Sequence, residues 1–302
     1  MTTRYLGVDL GGTKIHAAIS DADGTVLAEH VAPTDGDLVE ALAAVEAELL
    51  ARTDGDRVAI MGLGGAGVPT GESFDLAPNL DLGDLGRELP FVARLEERLG
   101  HPVVLENDVN VAALGELQHG VGLRHDDFAV VASGTGVGMG LVLGGRLVRG
   151  ARGAAGEIGY LPIGADPFDP ATHVNGPFEE MVAGASFAAH YLERAGVERT
   201  PREIFDRLDA DPDAAATVAQ HARWLALGIS AVRAVADPEV VVLTGGIGSR
   251  PELLPLVRDE LAALGAGDLE VLPSALGSSA AVLGALHLAR EAAAAAREEL
   301  TR

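Results

Sequence analysis

The stretch most able to do chemistry is Gly134-Thr135-Gly136-Val137-Gly138-Met139-Gly140. Apolar Phe128-Ala129-Val130-Val131 precedes it and Leu141-Val142-Leu143 follows. Two strand-like runs joined through glycines place backbone N–H groups at a tight bend. Glycine accepts positive φ and has no Cβ to hold a ligand away. Successive amides in such a bend can form a concave anion site, so the stretch reads as a phosphate cradle. A hairpin turn with glycines for geometry alone is the other reading of the same residues.

A second stretch of the same kind stands near the N-terminus. It runs Tyr5-Leu6-Gly7-Val8-Asp9-Leu10-Gly11-Gly12-Thr13-Lys14-Ile15-His16-Ala17-Ala18-Ile19, with an Asp23-Gly24 turn and Thr25-Val26-Leu27 after it. The later copy ends with Gly144-Gly145 and Arg146-Leu147-Val148. Both read strand, glycine bend with a threonine, strand, two-residue hairpin turn, strand. The self-similarity predicts a duplicated lobe, whose two bends could grip one polyphosphate from opposite sides.

The elements around these bends alternate between strand and helix. Residues 37–52 put Leu38, Leu42, Val45 and Leu49 on one helical face. Residues 57–64 read as a buried strand, which with the first meander makes a βαβ unit and a parallel pairing. Gly65 to Gly71 and Leu76 to Leu80 are loop sequence, of a kind that often carries binding groups. Residues 88–99 read as helix and residues 101–105 as strand, ending in Glu106-Asn107-Asp108-Val109-Asn110. A helix is predicted from Val109 to Gln118, with Asp108 at or near its N-cap. Further helices are expected at 179–191, 202–208 and 213–236. Val240 to Leu243 is a buried strand ending in a third glycine turn, Thr244-Gly245-Gly246-Ile247-Gly248. A long helix starts near Ser278, and its tail from Glu291 is expected to fray. His16, in the second strand, reads as a structural residue.

Composition sets the outer limits. The chain has 302 residues, 48% hydrophobic, enough for two lobes with separate cores. Its net charge of −23 argues against a nucleic-acid surface and against a basic channel for a long anion. Any anionic ligand must be held by local amides against that field. Without cysteine there are neither disulfides nor thiolate metal sites. No apolar run has the length of a membrane helix, and nothing reads as a signal peptide, so a cytoplasmic location is expected.

Taken together, Asp9-Leu10-Gly11-Gly12-Thr13-Lys14, Glu106-Asn107-Asp108-Val109-Asn110, Gly134-Thr135-Gly136-Val137-Gly138, Gly153-Ala154-Ala155-Gly156-Glu157-Ile158-Gly159 and Thr244-Gly245-Gly246-Ile247 resemble the ROK family of sugar kinases and repressors. The resemblance covers essentially the whole chain. It implies an α/β, actin/hexokinase-like (ribonuclease H-like) duplicated two-lobe fold with a central cleft. Residues 1–115 with the C-terminal helix 286–302 would form the smaller lobe, and 116–285 the larger. The implied activity is glucokinase-like: ATP-dependent phosphorylation of a hexose or hexose-like sugar, at O6, with Mg²⁺. Such phosphoryl transfer needs mainly positioning and charge neutralisation.

The resemblance also distributes roles. Gly11, Gly12 and Thr13 would lie on one side of the nucleotide phosphates, Thr135 and Gly136 on the other, with Lys14 a candidate phosphate contact. Gly245 and Gly246 would border the adenosine, and Asp9 would face Mg²⁺ through water. Asp108 would be the general base, taking the proton of the attacking sugar hydroxyl. Gly67, Asn79, Asn107, Glu157, Tyr160 and Glu179 would contact the sugar, Asn107 by donating and accepting and Glu157 by accepting from neighbouring hydroxyls. A homodimer or homotetramer is implied for the assembly.

Two departures from the family pattern bear on the substrate. Relatives carry a histidine where Tyr160 stands, and three cysteines where Pro170, Thr172 and Pro177 stand; together these hold a structural zinc. The interval from Tyr160 to Glu179 nevertheless matches the family's own. No structural zinc is therefore expected, with Pro167, Pro170 and Pro177 stiffening the loop in its place. Tyr160 could offer its hydroxyl or its ring to the sugar, which leaves the sugar's identity open. The other departure is Ala66-Gly67, where relatives show Pro-Gly. Two other functions stay in view: a non-catalytic sugar-binding or regulatory ROK protein without its own DNA-binding domain, and a kinase that uses polyphosphate.

Overall fold

The computed structural model describes residues 3–53, 55, 57–70, 73–75 and 91–300. Asn79, the 76–80 loop sequence and residues 88–90 of the expected second helix lie outside the described residues. The chain divides into two compact units, Met1–Gly120 with Ser278–Arg302, and Val121–Gly277.

In the first unit, β1 (Thr3–Leu10), β2 (Lys14–Ser20) and β3 (Val26–Pro33) form the antiparallel meander. Next come α1 (Leu38–Arg52), β4 (Arg57–Gly65), the short pair β5 (Val68–Thr70) and β6 (Ser73–Asp75), α2 (Phe91–Leu99), β7 (Val103–Asn107) and α3 (Asp108–His119). The sheet order is β3-β2-β1-β4-β7, with β1, β4 and β7 mutually parallel. Asp37 caps α1, its Oδ1 accepting from the Val39 amide at 2.9 Å.

The second unit holds β8 (Phe128–Ser133), β9 (Val137–Leu143), β10 (Arg146–Leu147), α4 (Glu179–Val182), α5 (Gly184–Ala195), α6 (Pro201–Phe205), α7 (Pro212–Ala236), β11 (Val240–Thr244), α8 (Gly245–Gly248), α9 (Leu253–Ala263) and β12 (Glu270–Pro273). Its sheet order, β10-β9-β8-β11-β12, has the same antiparallel and parallel pairings as the first sheet, taken strand for strand. The duplication read from the sequence is thus present as topology. α10 (Ala280–Leu300) then returns to the first unit, packing Val282, Leu286 and Ala289 against Tyr5, Ala18 and Ile60.

That packing explains glycines at special places. A Cβ on Gly115 would sit 2.0 Å from the Ala280 carbonyl oxygen, and one on Gly284 would sit 1.7 Å from that of Val111. The α3 and α10 backbones therefore touch directly, which fixes the end of α3 that carries Asp108.

Several local expectations are corrected. The first hairpin loop has five residues: Asp21 accepts from the Asp23 and Thr25 amides through Oδ1, at 3.0 and 2.9 Å, and its backbone N–H bonds Thr25 O. A side chain that organises its own loop displaces the two-residue turn. The second copy does use Gly144-Gly145, both at positive φ (57° and 67°). The expected helix 179–191 breaks at Ala183, which is extended (φ −62°, ψ 152°), before α5 begins. The helix expected at 202–208 is shorter, ending at Phe205. α10 runs as helix from Ala280 through Leu300, including the stretch expected to fray. Among the described residues, no helix is long and apolar enough to cross a membrane.

Candidate active site

In the first unit the chemistry gathers at two strand ends. β1 ends at Leu10, and Gly11 to Thr13 turn the chain into β2. The Gly11 amide donates to the Lys14 carbonyl at 3.0 Å. Thr34 clamps the bend from beside it, its hydroxyl donating to Gly11 O at 2.8 Å and its amide to Thr13 O at 3.2 Å. Gly12, Thr13 and Lys14 remain exposed. Neither Gly11 nor Gly12 has positive φ. The positive-φ argument made from sequence therefore does not apply here, and a Cβ on Gly11 would lie 3.3 Å from the Lys14 carbonyl oxygen.

Asp9 lies at the mouth of this bend. Burial, followed by the negative charge of Asp108, lifts its pKa from 3.8 to about 6, against the opposing charges of His16 and Lys14. His16 is buried and bonds Glu29 Oε2 at 3.0 Å, which fits the structural role read for it.

The second strand end is the corner between β7 and α3. Its N-cap is Asn107 and not Asp108: Asn107 Oδ1 accepts from the Val109 amide at 2.9 Å and the Asn110 amide at 3.1 Å. Asn107 Nδ2 donates to Gly67 O at 3.1 Å, tying the corner to a loop where Gly67 stands at φ 101°. With Oδ1 committed to the cap, Asn107 has its second amide hydrogen to offer a ligand. Glu106 supports the corner from below, its Oε1 accepting from the Asn107 amide at 3.0 Å and from Asn110 Nδ2 at 2.9 Å. Asp108 is left as the first residue of α3, and its carboxylate accepts from the Val109 amide at 2.8 Å. Burial raises its pKa above the usual carboxylate value, outweighing that hydrogen bond. A carboxylate that is desolvated in this way is suited to accepting a proton.

In the second unit, Gly134-Thr135-Gly136 joins β8 to β9, closed by a 3.0 Å bond from the Gly134 amide to Gly136 O. These glycines too have ordinary φ. Gly184, the first residue of α5, donates its amide to Thr135 O at 3.2 Å. The break at Ala183 is what lets that N–H reach the bend. Gly246 comes alongside: a Cβ on Gly134 would lie 3.4 Å from its amide nitrogen. Gly245 holds φ 88°, and a Cβ there would meet Ser133 O at 2.4 Å, so only glycine fits. Thr135, Gly136, Gly245 and Gly246 are therefore one neighbourhood. Beneath it, buried Ser133 bonds His221 Nε2 at 3.2 Å.

Glu157, Tyr160 and Glu179 also come together. Burial and the charges of Glu157 and Glu179 raise the Tyr160 pKa. The Tyr160 hydroxyl donates to Val174 O at 3.2 Å, which leaves its ring and its oxygen lone pairs for a ligand. Glu179 Oε2 accepts from the Val137 amide at 2.9 Å, at the exit of the glycine bend.

The segment between Tyr160 and Glu179 is organised by its own polar groups. Asp169 caps a single turn, Pro170–His173, accepting from the Ala171 amide at 2.9 Å. Thr172, at one of the family's cysteine positions, is buried and reaches the carbonyls of Asp166 and Asp169 at 2.8 and 2.9 Å. His173 Nε2 bonds Pro167 O at 2.9 Å. Tyr160, Pro170, Thr172 and Pro177 supply neither imidazole nor thiolate, so these residues do not fit a structural zinc of the family type.

Sequence reasoning gave no role to Thr34, Glu106, Asn110, Ser133 or His221. Glu106 and Asn110 had a readable signal, a carboxylate four residues before an amide across a strand-to-helix corner. Thr34 and His221 had none, because each meets its bend only through tertiary structure.

The chain is similar to known proteins over most of its length. A profile described as "ROK family" matches residues 5–292. The glucokinase of Streptomyces coelicolor is 29% identical over 312 residues, covering 95% of this chain and 97% of its own. The N-acetylmannosamine kinase of Escherichia fergusonii is 34% identical over 302 residues, covering 96% and 99%. The crystal structure of a ROK family glucokinase from Streptomyces griseus, in complex with glucose and AMPPNP, superposes with a TM-score of 0.80 at 29% identity, covering 95% of this chain and 99% of that one.

Proposed function

The chain belongs to the ROK family, and on that premise we propose that it is an ATP-dependent sugar kinase, transferring the γ-phosphoryl group to a hexose or hexose-like sugar at O6. Relatives that are kinases for glucose and for N-acetylmannosamine support the reaction class. The observation that carries the reading is the division of labour at the α3 corner. Asn107 is the N-cap, so Asp108 is not needed for capping although it too accepts from the Val109 amide, and burial makes its carboxylate a better base than a solvated one.

In this reading Asp108 accepts the hydroxyl proton as the sugar oxygen attacks phosphorus. Gly67, Asn79, Asn107, Glu157, Tyr160 and Glu179 contact the sugar. Gly11, Gly12, Thr13 and Lys14 face the phosphates, as do Thr135 and Gly136, while Gly245 and Gly246 border the adenosine. Mg²⁺, when bound with the nucleotide, supplies charge neutralisation on the phosphate oxygens. Asp9 is the residue that would hold it, through water. The fit is supported by the raised pKa of Asp9, to which burial contributes most and the negative charge of Asp108 next, both of which a cation would offset. No structural zinc takes part.

The test is a coupled ADP-release screen over glucose, mannose, fructose, N-acetylated and amino hexoses, with ATP and polyphosphate as donors. Sugar-dependent ADP release with at least one hexose is expected. ADP release that no sugar stimulates would contradict the proposal.

A further inference from the structure

We infer that Ser133 and His221 are positioning residues for the nucleotide: their buried hydrogen bond sets the end of β8, and through it the Gly134-Thr135-Gly136 bend, in the geometry that receives the phosphates. The inference rests on the sugar-kinase reading above and deepens it, since that reading uses the bend but gives no role to the pair beneath it.

Ser133 is the last residue of β8 and pairs with Val137 across the bend. Alternation along the strand puts its side chain on the face of Ala129 and Val131, which belong to the buried core of the second unit. Its backbone lies against the turn after β11: a Cβ on Gly245 would stand 2.4 Å from Ser133 O, and one on Gly248 3.4 Å from Ser133 N. The two turns that carry Thr135, Gly136, Gly245 and Gly246 therefore meet at this residue. His221 comes from α7, among buried Val218, Ala222 and Leu225, and its Nε2 bonds Ser133 Oγ at 3.2 Å. The same imidazole meets Phe187 of α5 edge-on, with centroids 5.2 Å apart. α5 is the helix whose first amide, at Gly184, donates to Thr135 O. One side chain thus joins both supports of the bend, the strand end and the helix.

Packing alone does not call for this pair. An alanine and an apolar ring would fill much the same volume without burying polar groups, and a buried neutral hydrogen bond adds little net stability. What it adds over an apolar contact is a preferred direction and distance. His221 Nδ1 has no hydrogen-bond partner among the described residues, so the bond to Ser133 is the imidazole's one polar contact there. Burial, with a further push from the charge of His190 on α5, lowers the His221 pKa to about 4. The imidazole is neutral at neutral pH, so the pair acts on the bend by position and not by charge. Small displacements of the bend are costly where several amides must face one anion.

Two variants of the full chain separate position from packing. Ser133→Ala combined with His221→Phe keeps a ring against Phe187 and removes both polar groups, so that no buried hydroxyl is left unpaired. His221→Gln can bring an amide to the place of Nε2. The probe is AMPPNP with Mg²⁺, titrated calorimetrically. Tm is measured alongside, with amide hydrogen exchange at Gly134 and Gly184, whose N–H groups bond Gly136 O and Thr135 O. The double variant is expected to keep Tm within about 3 °C of the wild type. It is expected to bind AMPPNP about tenfold more weakly and to lose protection at both amides. His221→Gln is expected to restore most of the affinity and of the protection. Affinity and protection equal to the wild type in the double variant would overturn the inference. So would a loss in His221→Gln as large as in the double variant. A fall in Tm of several degrees, with the AMPPNP affinity of the folded protein unchanged, would assign the pair to stability and overturn it too. If the wild type binds no AMPPNP, the kinase reading is what fails, and the exchange at Gly134 and Gly184 then decides alone whether the pair sets the bend.

Discussion

Burial, and after it the negative charge of Asp108 at the start of α3, lifts the pKa of Asp9 at the end of β1 to about 6. The two acids thus influence one another, with the weaker pull of His16 and Lys14 on Asp9 opposing the shift. The strain is a cost to the fold and a use to the proposed chemistry, since a cation bound there would relieve it.

The cost has a measurable sign. A carboxyl whose folded pKa lies above its unfolded value keeps its proton longer in the native state. Its contribution to stability is present below about pH 3.8 and is lost as pH rises through 6. Asp9→Asn should therefore stabilise the metal-free, nucleotide-free protein at pH 7.5, by about 2 kcal/mol after allowance for partial exposure, with little change at pH 4. Denaturant unfolding at the two pH values measures it. Equal effects at both would show that Asp9 is not strained. The same variant should raise the KM for Mg-ATP.

His221 carries the opposite dependence. It is buried beside Phe187, with ring centroids 5.2 Å apart, and burial lowers its pKa to about 4. The unfolded chain takes up a proton near pH 6.5 that the native protein refuses until about 4. The stability it supports is full above pH 6.5 and falls as pH drops toward 4, by about 3 kcal/mol at most. Stability curves of the wild type and of His221→Gln should diverge in that window and run parallel above pH 7. Parallel curves throughout would place the proton elsewhere.

The loop from Tyr160 to Glu179 is expected to stand without metal. Thr172 and Asp169 supply hydrogen bonds where the family's ligands would be. Prolonged chelation followed by thermal unfolding should leave Tm within about 1 °C, because removing a structural zinc costs far more than that. A fall of several degrees, with zinc found by elemental analysis, would contradict the expectation.

Much of the fold was legible because its signals are local. The two meanders announced themselves by glycine bends between apolar runs, and the strand orders of the two sheets match. The α1 periodicity and the buried β11 run were equally plain. What escaped was decided by single side chains or by distant partners. Asn and Asp are about equally favoured at an N-cap, so propensity could not choose between Asn107 and its neighbour Asp108, and the sequence reading placed Asp108 only at or near the cap. Ala183 has no breaker chemistry, and its extended backbone follows from the Gly184 contact with Thr135. The glycines at the bends were read both as tolerant of positive φ and as lacking a Cβ, and at the second bend the neighbours Glu179 and Gly246 support the second reason and not the first. At the candidate site the motif residues were visible, but their second roles, the Asn107 cap and the Glu179 bond to Val137, needed coordinates.

The central claim is that Asp108 is the base and not a helix cap, and one variant addresses it. Asp108→Asn keeps the shape of the corner, and Asn107 retains the capping bonds. With the best sugar from the ADP-release screen, kcat should fall by about a thousandfold, while the sugar's Kd changes by less than about threefold and Tm stays within about 1 °C. A near-normal kcat, or a large loss of Tm with turnover per folded molecule preserved, would contradict the account.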